Sequence, residues 1–297
     1  MPTINRGNFQ ASDFPHYKKI FHLGMGREVK DRREIYFDQV SSDRKYETYF
    51  EIGDFGPVPE FDQELQYEGV SQGYQNTITN RLYAKGMRIE YEFKRVDQQR
   101  IANTLPKMLA MAMRRRLSGD SASWFNDATT TFLTRDGLSL VNAAHTSNNG
   151  GSNQSNRITT AFSAVALAAA RITMRKFLSN TDQMLDIMPD TVYGGIDLQD
   201  SFEEVVKSKG QVNTANNTIN VLQGSFTAVT DRRFEDTNNW AVADKKLQKE
   251  YNIWQTVDPV SFQEANVFDG LTAKYSCRSF HGFGSTGWEW VLFSEVA

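Results

Sequence analysis

The chain has 297 residues, with 33 lysines and arginines against 36 aspartates and glutamates, and a formal net charge of −3. A hydrophobic fraction of 39%, including 12% aromatic residues, is sufficient for a folded core and excludes wholesale disorder. Proteins whose principal function is to bind nucleic acid usually carry a net positive charge, and this chain is close to neutral. Cys277 is the only cysteine, which excludes an intrachain disulfide and a cysteine-based zinc site.

No apolar stretch approaches the length of about 18 residues that a membrane-spanning helix needs. The first residues, MPTINRGNFQASDF, lack the charged and apolar regions of a secretion signal. These features predict a soluble protein made in a reducing compartment. The length predicts about two domains or one large one.

The N-terminal part of the chain is predicted to be an arm followed by a short helix. Residues 1–12 are polar and have the pattern of an extended segment. Ser12 or Asp13 is placed to cap a helix that runs to His22. His16 and His22 have no acidic or cysteine partner at ligand spacing, so we expect surface imidazoles.

Residues 34–92 have the composition of strands and turns. Aromatic and β-branched residues flank the breaker GPVP (56–59), and residues 60–73 are acidic. The run MRIEYEF (87–93) alternates apolar and polar residues, which predicts a half-buried strand after a turn at Ala84–Gly86. A two-strand excursion of this kind cannot bury a core alone, so we expect it to lie against a surface outside itself.

The segment Val96–Phe132 is predicted to be one long helix around which the chain is organised. Asp97 is placed to cap its start, and the whole span would be roughly 55 Å long at about 1.5 Å per residue. Pro106 is expected to kink it, and the Gly119–Asp120 pair is a weak point or a stop. The apolar positions that recur at three- and four-residue steps are Ile101, Leu105, Met108, Leu109, Ala112, Met113 and Leu117.

Beyond this helix the sequence predicts a mixed α/β region. The Ser-, Asn- and Gly-rich residues 146–156 have the composition of a loop. Phe162–Leu178 has the pattern of a helix that is capped by Ser163. The later predicted elements are strands at 186–197, 219–223, 226–230, 240–244, 251–254, 271–276 and 287–293, and a helix at 198–209.

Two local patterns that resemble functional motifs have simpler interpretations. Residues 282–287 match GxGxxG, but a strand rather than a helix follows, so we predict a hairpin turn instead of a dinucleotide site. Cys277 and His281 would lie about 13 Å apart in one strand, too far for a thiolate–imidazole pair. A buried structural cysteine is therefore expected.

The remaining candidates for chemistry are a histidine and an acidic cluster. His145 lies near Asp136, and such a pair could polarise a nucleophile, but no GxSxG elbow or serine partner accompanies it. A histidine held in a turn network is favoured over an α/β enzyme that uses His145 and Asp136. Asp231, Glu235 and Asp236 lack calcium-loop spacing and are expected in a solvated loop. We predict no catalytic, cofactor-binding or metal-binding residues.

Several short motifs occur in a characteristic order along nearly the whole chain. They are RVDQ (95–98) before the long helix, DGLSLVNAAH (136–145) after it, the loop 148–156, the helix 162–178, and MPDTV (188–192) before a strand. This order resembles the major capsid protein of tailed bacteriophages with the Hong Kong 97-type fold, in particular the Mu-like major head subunit group. Val141 departs from the phenylalanine that is usual in that group.

The resemblance implies an α+β fold of the Hong Kong 97-like type, in which extensions of each subunit reach its neighbours. The implied parts are an N-arm (1–33), an E-loop β-hairpin with flanking strands (34–95), a long spine helix in a peripheral domain (96–162), an axial α/β domain (163–268), and return strands to the peripheral domain (269–297).

The function implied by the resemblance is mechanical, with no enzyme activity. The subunit would self-assemble into pentamers and hexamers of an icosahedral head that encloses double-stranded DNA. It would be found in the virion, and in the host cytoplasm during assembly. Its expected partners are copies of itself, a separate scaffolding protein, a portal, a decoration protein and DNA contacted non-specifically. No cofactor, membrane or covalent crosslink is expected.

One alternative shares the fold, namely an encapsulin-type nanocompartment shell around a protein cargo. In both cases the arm, E-loop and helix supply contacts between subunits. The expected inter-subunit contacts are Phe9, Phe14, Glu51, Asp54, Phe55, Glu60, Phe61, Glu64, Tyr67, Arg81, Arg114 and Arg115.

Overall fold

The computed structural model describes most of the chain, with short gaps. The described residues are 13–26, 32–53, 72–96, 101–147, 150–210, 219–267 and 272–296, together with positions 55, 58, 60, 61, 65, 67 and 69. The predicted arm at residues 1–12 and the predicted cap at Asp97 lie outside these residues.

The helices follow the apolar periodicity of the sequence but differ at their ends. They are α1 (Asp13–Met25), α2 (Arg33–Tyr36), α3 (Tyr91–Val96), α4 (Leu105–Asn126), α5 (Ala164–Met174), α6 (Gln199–Lys207) and α7 (Lys245–Tyr251). The predicted cap of α5 is confirmed, because the Ala166 amide donates to Ser163 Oγ at 3.1 Å. α5 ends at Met174 rather than at Leu178, and a turn follows it.

The strands form a four-stranded sheet, a five-stranded sheet and a hairpin. They are β1 (Asp38–Ser41), β2 (Tyr46–Ile52), β3 (Gln72–Thr79), β4 (Arg81–Glu90), β5 (Arg157–Ile158), β6 (Thr191–Gly194), β7 (Thr227–Thr230), β8 (Trp240–Ala243), β9 (Asn252–Val267), β10 (Thr272–Ser285) and β11 (Val291–Ser294). The strand orders are β1-β9-β10-β4 and β5-β11-β8-β6-β7, and β2 pairs antiparallel with β3.

The predicted helix over Val96–Phe132 is too long at both ends. Val96 closes the separate helix α3, and α4 begins at Leu105, so Pro106 lies in its first turn. Proline is tolerated there because its missing N–H would have no partner inside the helix, so it starts α4 instead of kinking it. Gly119 and Asp120 lie within α4, and the chain turns at Asp127, whose carbonyl accepts from the Phe132 amide at 3.1 Å.

The predicted turn at Ala84–Gly86 is wrong, because these residues lie inside β4. β4 pairs with β10 without interruption from Arg81 opposite His281 to Glu90 opposite Thr272. This continuous ladder outweighs the local turn preference of glycine. The strand predicted at 87–93 ends at Glu90, and Tyr91 already belongs to α3.

Several predicted strands in the second half have different lengths. Residues 221–225 form a turn, so the strand predicted at 219–223 is wrong. Asn220 fixes this turn, because its Nδ2 donates to the Val205 carbonyl at 2.7 Å. β9 and β10 extend far beyond their predicted spans, since each pairs with the other along nearly its full length.

An aromatic core fills the space between α4 and one face of the five-stranded sheet. Trp124 is fully buried, and its ring centroid lies 5.1 Å from that of Tyr193 in β6 and 5.3 Å from that of Trp290. Phe125 packs against Phe293 of β11 at 4.9 Å. The C-terminal half of α4 and this sheet therefore form one apolar unit.

Strand pairing divides the chain differently from the predicted boundary at residue 268. β9 pairs with β1 and β10 in the four-stranded sheet, although it was assigned to the axial domain. β11 lies between β5 and β8 in the five-stranded sheet, although it was assigned to the peripheral return. The reason is that β9 and β10 form one long hairpin, which keeps both strands in the same sheet.

Candidate functional site

Glu51 joins the hairpin β2–β3 to the rest of the chain. One Glu51 carboxylate oxygen lies 2.9 Å from Arg135 Nη2 and accepts from Asn180 Nδ2 at 2.9 Å, while the other accepts from the Tyr74 amide at 3.1 Å. The Glu51 side chain is only 8% exposed. Glu51 was predicted to contact a neighbouring subunit, but in this structure its partners belong to its own chain.

Arg135 holds two carboxylates at once. Besides Glu51 it forms an ion pair with Glu289, and its guanidinium lies 5.9 Å from the ring centroid of Tyr251. Burial raises the pKa of Glu51, and the nearby Arg135 opposes this rise. Burial also raises the pKa of Tyr251 to about 12. A cavity of about 340 Å³ adjoins this cluster on the hairpin side.

Three further polar contacts hold the hairpin base. Asn76 Nδ2 donates to the Ser285 carbonyl at 2.6 Å, and Gln255 Nε2 donates to the Tyr49 hydroxyl at 2.8 Å. The Tyr74 hydroxyl lies 3.0 Å from Thr146 Oγ1. The hairpin is therefore attached by hydrogen bonds and one ion pair, together with the buried side chain of Ile78, which lies against Gly284 of β10.

The segment between β2 and β3 exposes large apolar side chains. Phe55 is 62% exposed, Phe61 68% and Tyr67 91%, and Glu60 is also exposed. These four predicted contact residues are accessible to another subunit. Phe9, Asp54 and Glu64 lie outside the described residues, and for Phe14 only the backbone, in α1, is described.

The predicted arginine contacts have different environments. Arg114 Nη1 donates to the Gly24 carbonyl at 2.9 Å and joins α4 to α1, so part of its role is within the chain. Arg115 is exposed on α4, and Arg81 is exposed at the start of β4. Of the three, Arg81 and Arg115 present the more accessible charges.

His145 and Asp136 do form a pair, as the sequence suggested. His145 Nδ1 lies 2.6 Å from Asp136 Oδ2, and its Nε2 lies 3.1 Å from Asn156 Oδ1. Burial acts to raise the pKa of Asp136, but hydrogen bonds from His145 and Thr134 outweigh it and hold this pKa below its ordinary value. The imidazole is buried and stacks on Trp288 with ring centroids 4.5 Å apart.

This environment favours the structural interpretation of His145. Both ring nitrogens face oxygen atoms of the chain, so neither is placed to take a proton from a nucleophile. The contacts connect the turn at Asp136 with the loop before β5. Asn156, which sequence reasoning missed, extends this network, because its Nδ2 also donates to the Leu140 carbonyl at 2.8 Å.

The Cys277 thiol is buried, as predicted, and burial raises its pKa. His281 instead faces Asp120 of α4, with Nε2 3.1 Å from Asp120 Oδ2, and its Nδ1 lies 3.0 Å from Ser279 Oγ. The predicted hairpin turn at 282–287 is wrong, since β10 continues to Ser285. A side chain at Gly282 would collide with Asn80, so the glycines allow close strand packing.

The acidic cluster near residue 231 is only partly solvated. Asp231 is fully buried, and it accepts from the Tyr36 hydroxyl at 2.8 Å and pairs with Arg32. Glu235 and Asp236 are exposed, as expected for a loop. Within the described ranges, no group of three or more His, Cys, Asp or Glu residues is arranged to hold a metal ion. No described helix is long and apolar enough to cross a membrane.

Solved structures with a similar fold include phage capsids. The mature capsid of bacteriophage PhiM1 matches with a TM-score of 0.58 and 9% identity, covering 92% of this chain and 89% of that chain. The bacteriophage JBD30 capsid matches with a TM-score of 0.59 and 11% identity, covering 70% of this chain and 92% of that chain. The structure from Microbacterium phage Oxtober96 matches with a TM-score of 0.57 and 10% identity, covering 92% of this chain and 94% of that chain. The fold is that of Hong Kong 97-type capsid proteins, as predicted.

Sequence comparison identifies the family. A family model described as phage capsid protein matches residues 78–292, and the chain belongs to this family. A search of curated proteins finds no significant match. The predicted role as the major capsid protein of a phage head is confirmed. This is a structural protein, which agrees with the expectation that it is not an enzyme.

Proposed function

We propose that the chain builds its head as pentamers and hexamers in which the β2–β3 hairpin of each subunit covers part of a neighbour. The observation that carries this proposal is the contrast within the hairpin. Its base is held by the polar contacts of Glu51, while Phe55, Phe61 and Tyr67 farther along are exposed. No described part of the chain covers these large apolar side chains. Their burial by a second subunit removes apolar surface from water and would therefore stabilise the assembly.

The division into N-arm, E-loop, peripheral and axial parts is part of this proposal, with boundaries adjusted to the strand pairing. The four-stranded sheet with α1 and the N-terminal half of α4 corresponds to the peripheral part. The five-stranded sheet with α5 and α6 corresponds to the axial part. Heterologous contacts repeated around an axis close into rings, which combines many weak interfaces into one stable shell.

Further partners follow from the proposed role in the head. We expect a separate scaffolding protein, a portal and packaged double-stranded DNA, with assembly in the host cytoplasm. The near-neutral net charge suits a shell that must enclose DNA without binding it tightly. A decoration protein is also expected, and a similar structure is a JBD30 capsid decorated with minor capsid protein trimers.

Negative-stain electron microscopy tests the role of the hairpin. The intact chain is compared with a variant in which residues 53–71 are replaced by Asn-Gly, which keeps the pairing of Ile52 with Gln72. We expect rings, tubes or shells from the intact chain and none from the variant, with equal thermal stability of both. Shells from the variant would refute the role of the hairpin. An intact chain that stays monomeric, even when co-expressed with its neighbouring genes, would refute self-assembly.

The content of purified particles distinguishes the proposed head from the encapsulin-type alternative. Nuclease-protected double-stranded DNA supports the phage head, whereas particles filled with one protein support a nanocompartment. The enzyme alternative is weaker, because the imidazole of His145 is already engaged on both sides. We expect His145→Ala to lower stability through the loop that His145 holds.

A further inference from the structure

Helix α5 has an outward face that no described element covers. Its inner side is buried through Leu167, Ala170 and Met174. On the outer side Val165 is 74% exposed and Ile172 is 55% exposed. Residues seven positions apart lie on the same side of a helix, so these side chains form an apolar stripe.

Two basic side chains follow the apolar stripe at the C-terminal end of α5. Arg175 and Lys176 follow α5 directly and are exposed, and in the described part of the chain neither side chain forms an ion pair. We call Val165, Ile172, Arg175 and Lys176 the basic face. A surface that combines exposed aliphatic groups with unpaired cations is suited to an acidic partner that also has apolar groups.

Helix α6 presents an acidic surface with exposed apolar residues at its ends. Its buried side holds Phe202, Val205 and Val206 against the sheet. The exposed side has three carboxylates and one lysine, which pairs with one of the carboxylates at 2.9 Å. Exposed apolar residues flank the helix at both ends, with Ile196 57%, Ile219 79% and Val221 76% exposed. We call Asp200, Glu203, Glu204, Ile196, Ile219 and Val221 the acidic face.

The two faces occupy different places on the same side of the five-stranded sheet. Phe162, just before α5, contacts both Phe202 of α6 and Trp240 of β8, with ring centroids 4.5 and 5.3 Å apart. α5 packs against β8 and β11, whereas α6 packs against the edge strand β7. The basic face therefore lies over one flank of the sheet and the acidic face over the other.

We propose that the basic face of one copy docks on the acidic face of the next copy, which joins subunits head to tail around each ring. This rests on the proposed self-assembly. The occupant of each face is a second copy because the two faces complement each other in charge and both contain exposed aliphatic groups. Neither face can pair with its own equivalent, since like charges would meet. A contact between two different surfaces can repeat from copy to copy around an axis, and it closes into a ring when the rotation between neighbours divides a full turn.

Charge reversal on each face is the first test. One variant carries Arg175→Glu and Lys176→Glu, and the other carries Asp200→Lys and Glu204→Lys, which keeps the pair between Glu203 and Lys207. Each variant places like charges across the junction, and we expect at least about a tenfold increase in the protein concentration needed for assembly. A matched control, Lys245→Glu with Lys246→Glu on α7, should assemble as the wild type does.

Mixing the two reversal variants gives a sharper result. One variant is acidic on both faces and the other basic on both, so the two can alternate around a ring. Alternation closes in rings with an even number of subunits, whereas a ring of five must contain one junction between like charges. We therefore expect native mass spectrometry of the mixture to show hexamers that contain three copies of each variant, without pentamers.

The outcomes separate this inference from the proposed function on which it rests. Wild-type shells together with normal shells from both reversal variants would refute the docking and leave self-assembly intact. A mixture that fails to assemble while each variant retains the wild-type unfolding temperature would also refute it. A wild-type chain that never assembles would refute both proposals.

Discussion

The β2–β3 hairpin and the core beneath α4 are stabilised in opposite ways. Around Trp124 the contacts are aromatic and buried. At the hairpin base they are an ion pair and hydrogen bonds around Glu51, and Phe50 and Ile52 of β2 are 58% and 72% exposed. Apolar burial thus dominates in the core beneath α4, whereas polar contacts predominate at the hairpin base, where Ile78 is the buried apolar residue of β3.

Trp124→Ala should have the largest effect, because it opens a cavity at the centre of the aromatic core. We expect a loss of about 3–5 kcal/mol in the free energy of unfolding, measured by denaturant titration. The control is Tyr67→Ala in the hairpin segment, where the side chain is 91% exposed and the loss should be under about 0.5 kcal/mol. Equal losses at both positions would remove the distinction between the two regions.

Arg135→Met should have the next largest effect, since it leaves the buried carboxylates of Glu51 and Glu289 without a counter-charge. We expect a loss of about 3 kcal/mol in the free energy of unfolding. Adding Glu51→Gln and Glu289→Gln should recover part of it, because the buried charges are then gone. The control Arg44→Met removes an exposed arginine near Glu47 and should cost under about 1 kcal/mol. No recovery in the triple variant would contradict the charge argument.

The pH dependence of stability tests the environment of Glu51. Since burial raises its pKa above the ordinary value of 4.5, the folded chain binds this proton more readily than the unfolded chain does. The contribution of Glu51 to stability should therefore fall as the pH rises from that ordinary value through the raised folded pKa. Denaturant titrations across this range should show the fall in the wild type relative to Glu51→Gln. Parallel curves for the two proteins would contradict the prediction.

Tyr74→Phe should have the smallest effect, because it removes only the exposed hydrogen bond to Thr146. We expect at most about 0.5–1 kcal/mol, confined to the hairpin. Amide hydrogen exchange should become faster in β2 and β3 and stay unchanged in β6 and β8. Faster exchange throughout the five-stranded sheet would show that the hairpin and the core open together rather than independently.

Local patterns in the sequence predicted those parts of the fold that depend on neighbours along the chain. The start of α1 at Asp13, the cap at Ser163 and the hairpin strands follow from such patterns. The path of β4 through Ala84–Gly86 did not, because its ladder with β10 is a long-range contact. The Arg135 cluster was also missed, since Arg135 and Glu289 are 154 positions apart and no spacing rule connects them.

The position of β11 has a consequence for the synthesis of the protein. It lies inside the five-stranded sheet, between β5 and β8, yet it is translated after the other four strands of that sheet. A nascent chain therefore cannot complete this sheet until Ser294 has left the ribosome. A chain truncated before Val291 would lack this internal strand and with it the packing of Phe293 against Phe125 of α4.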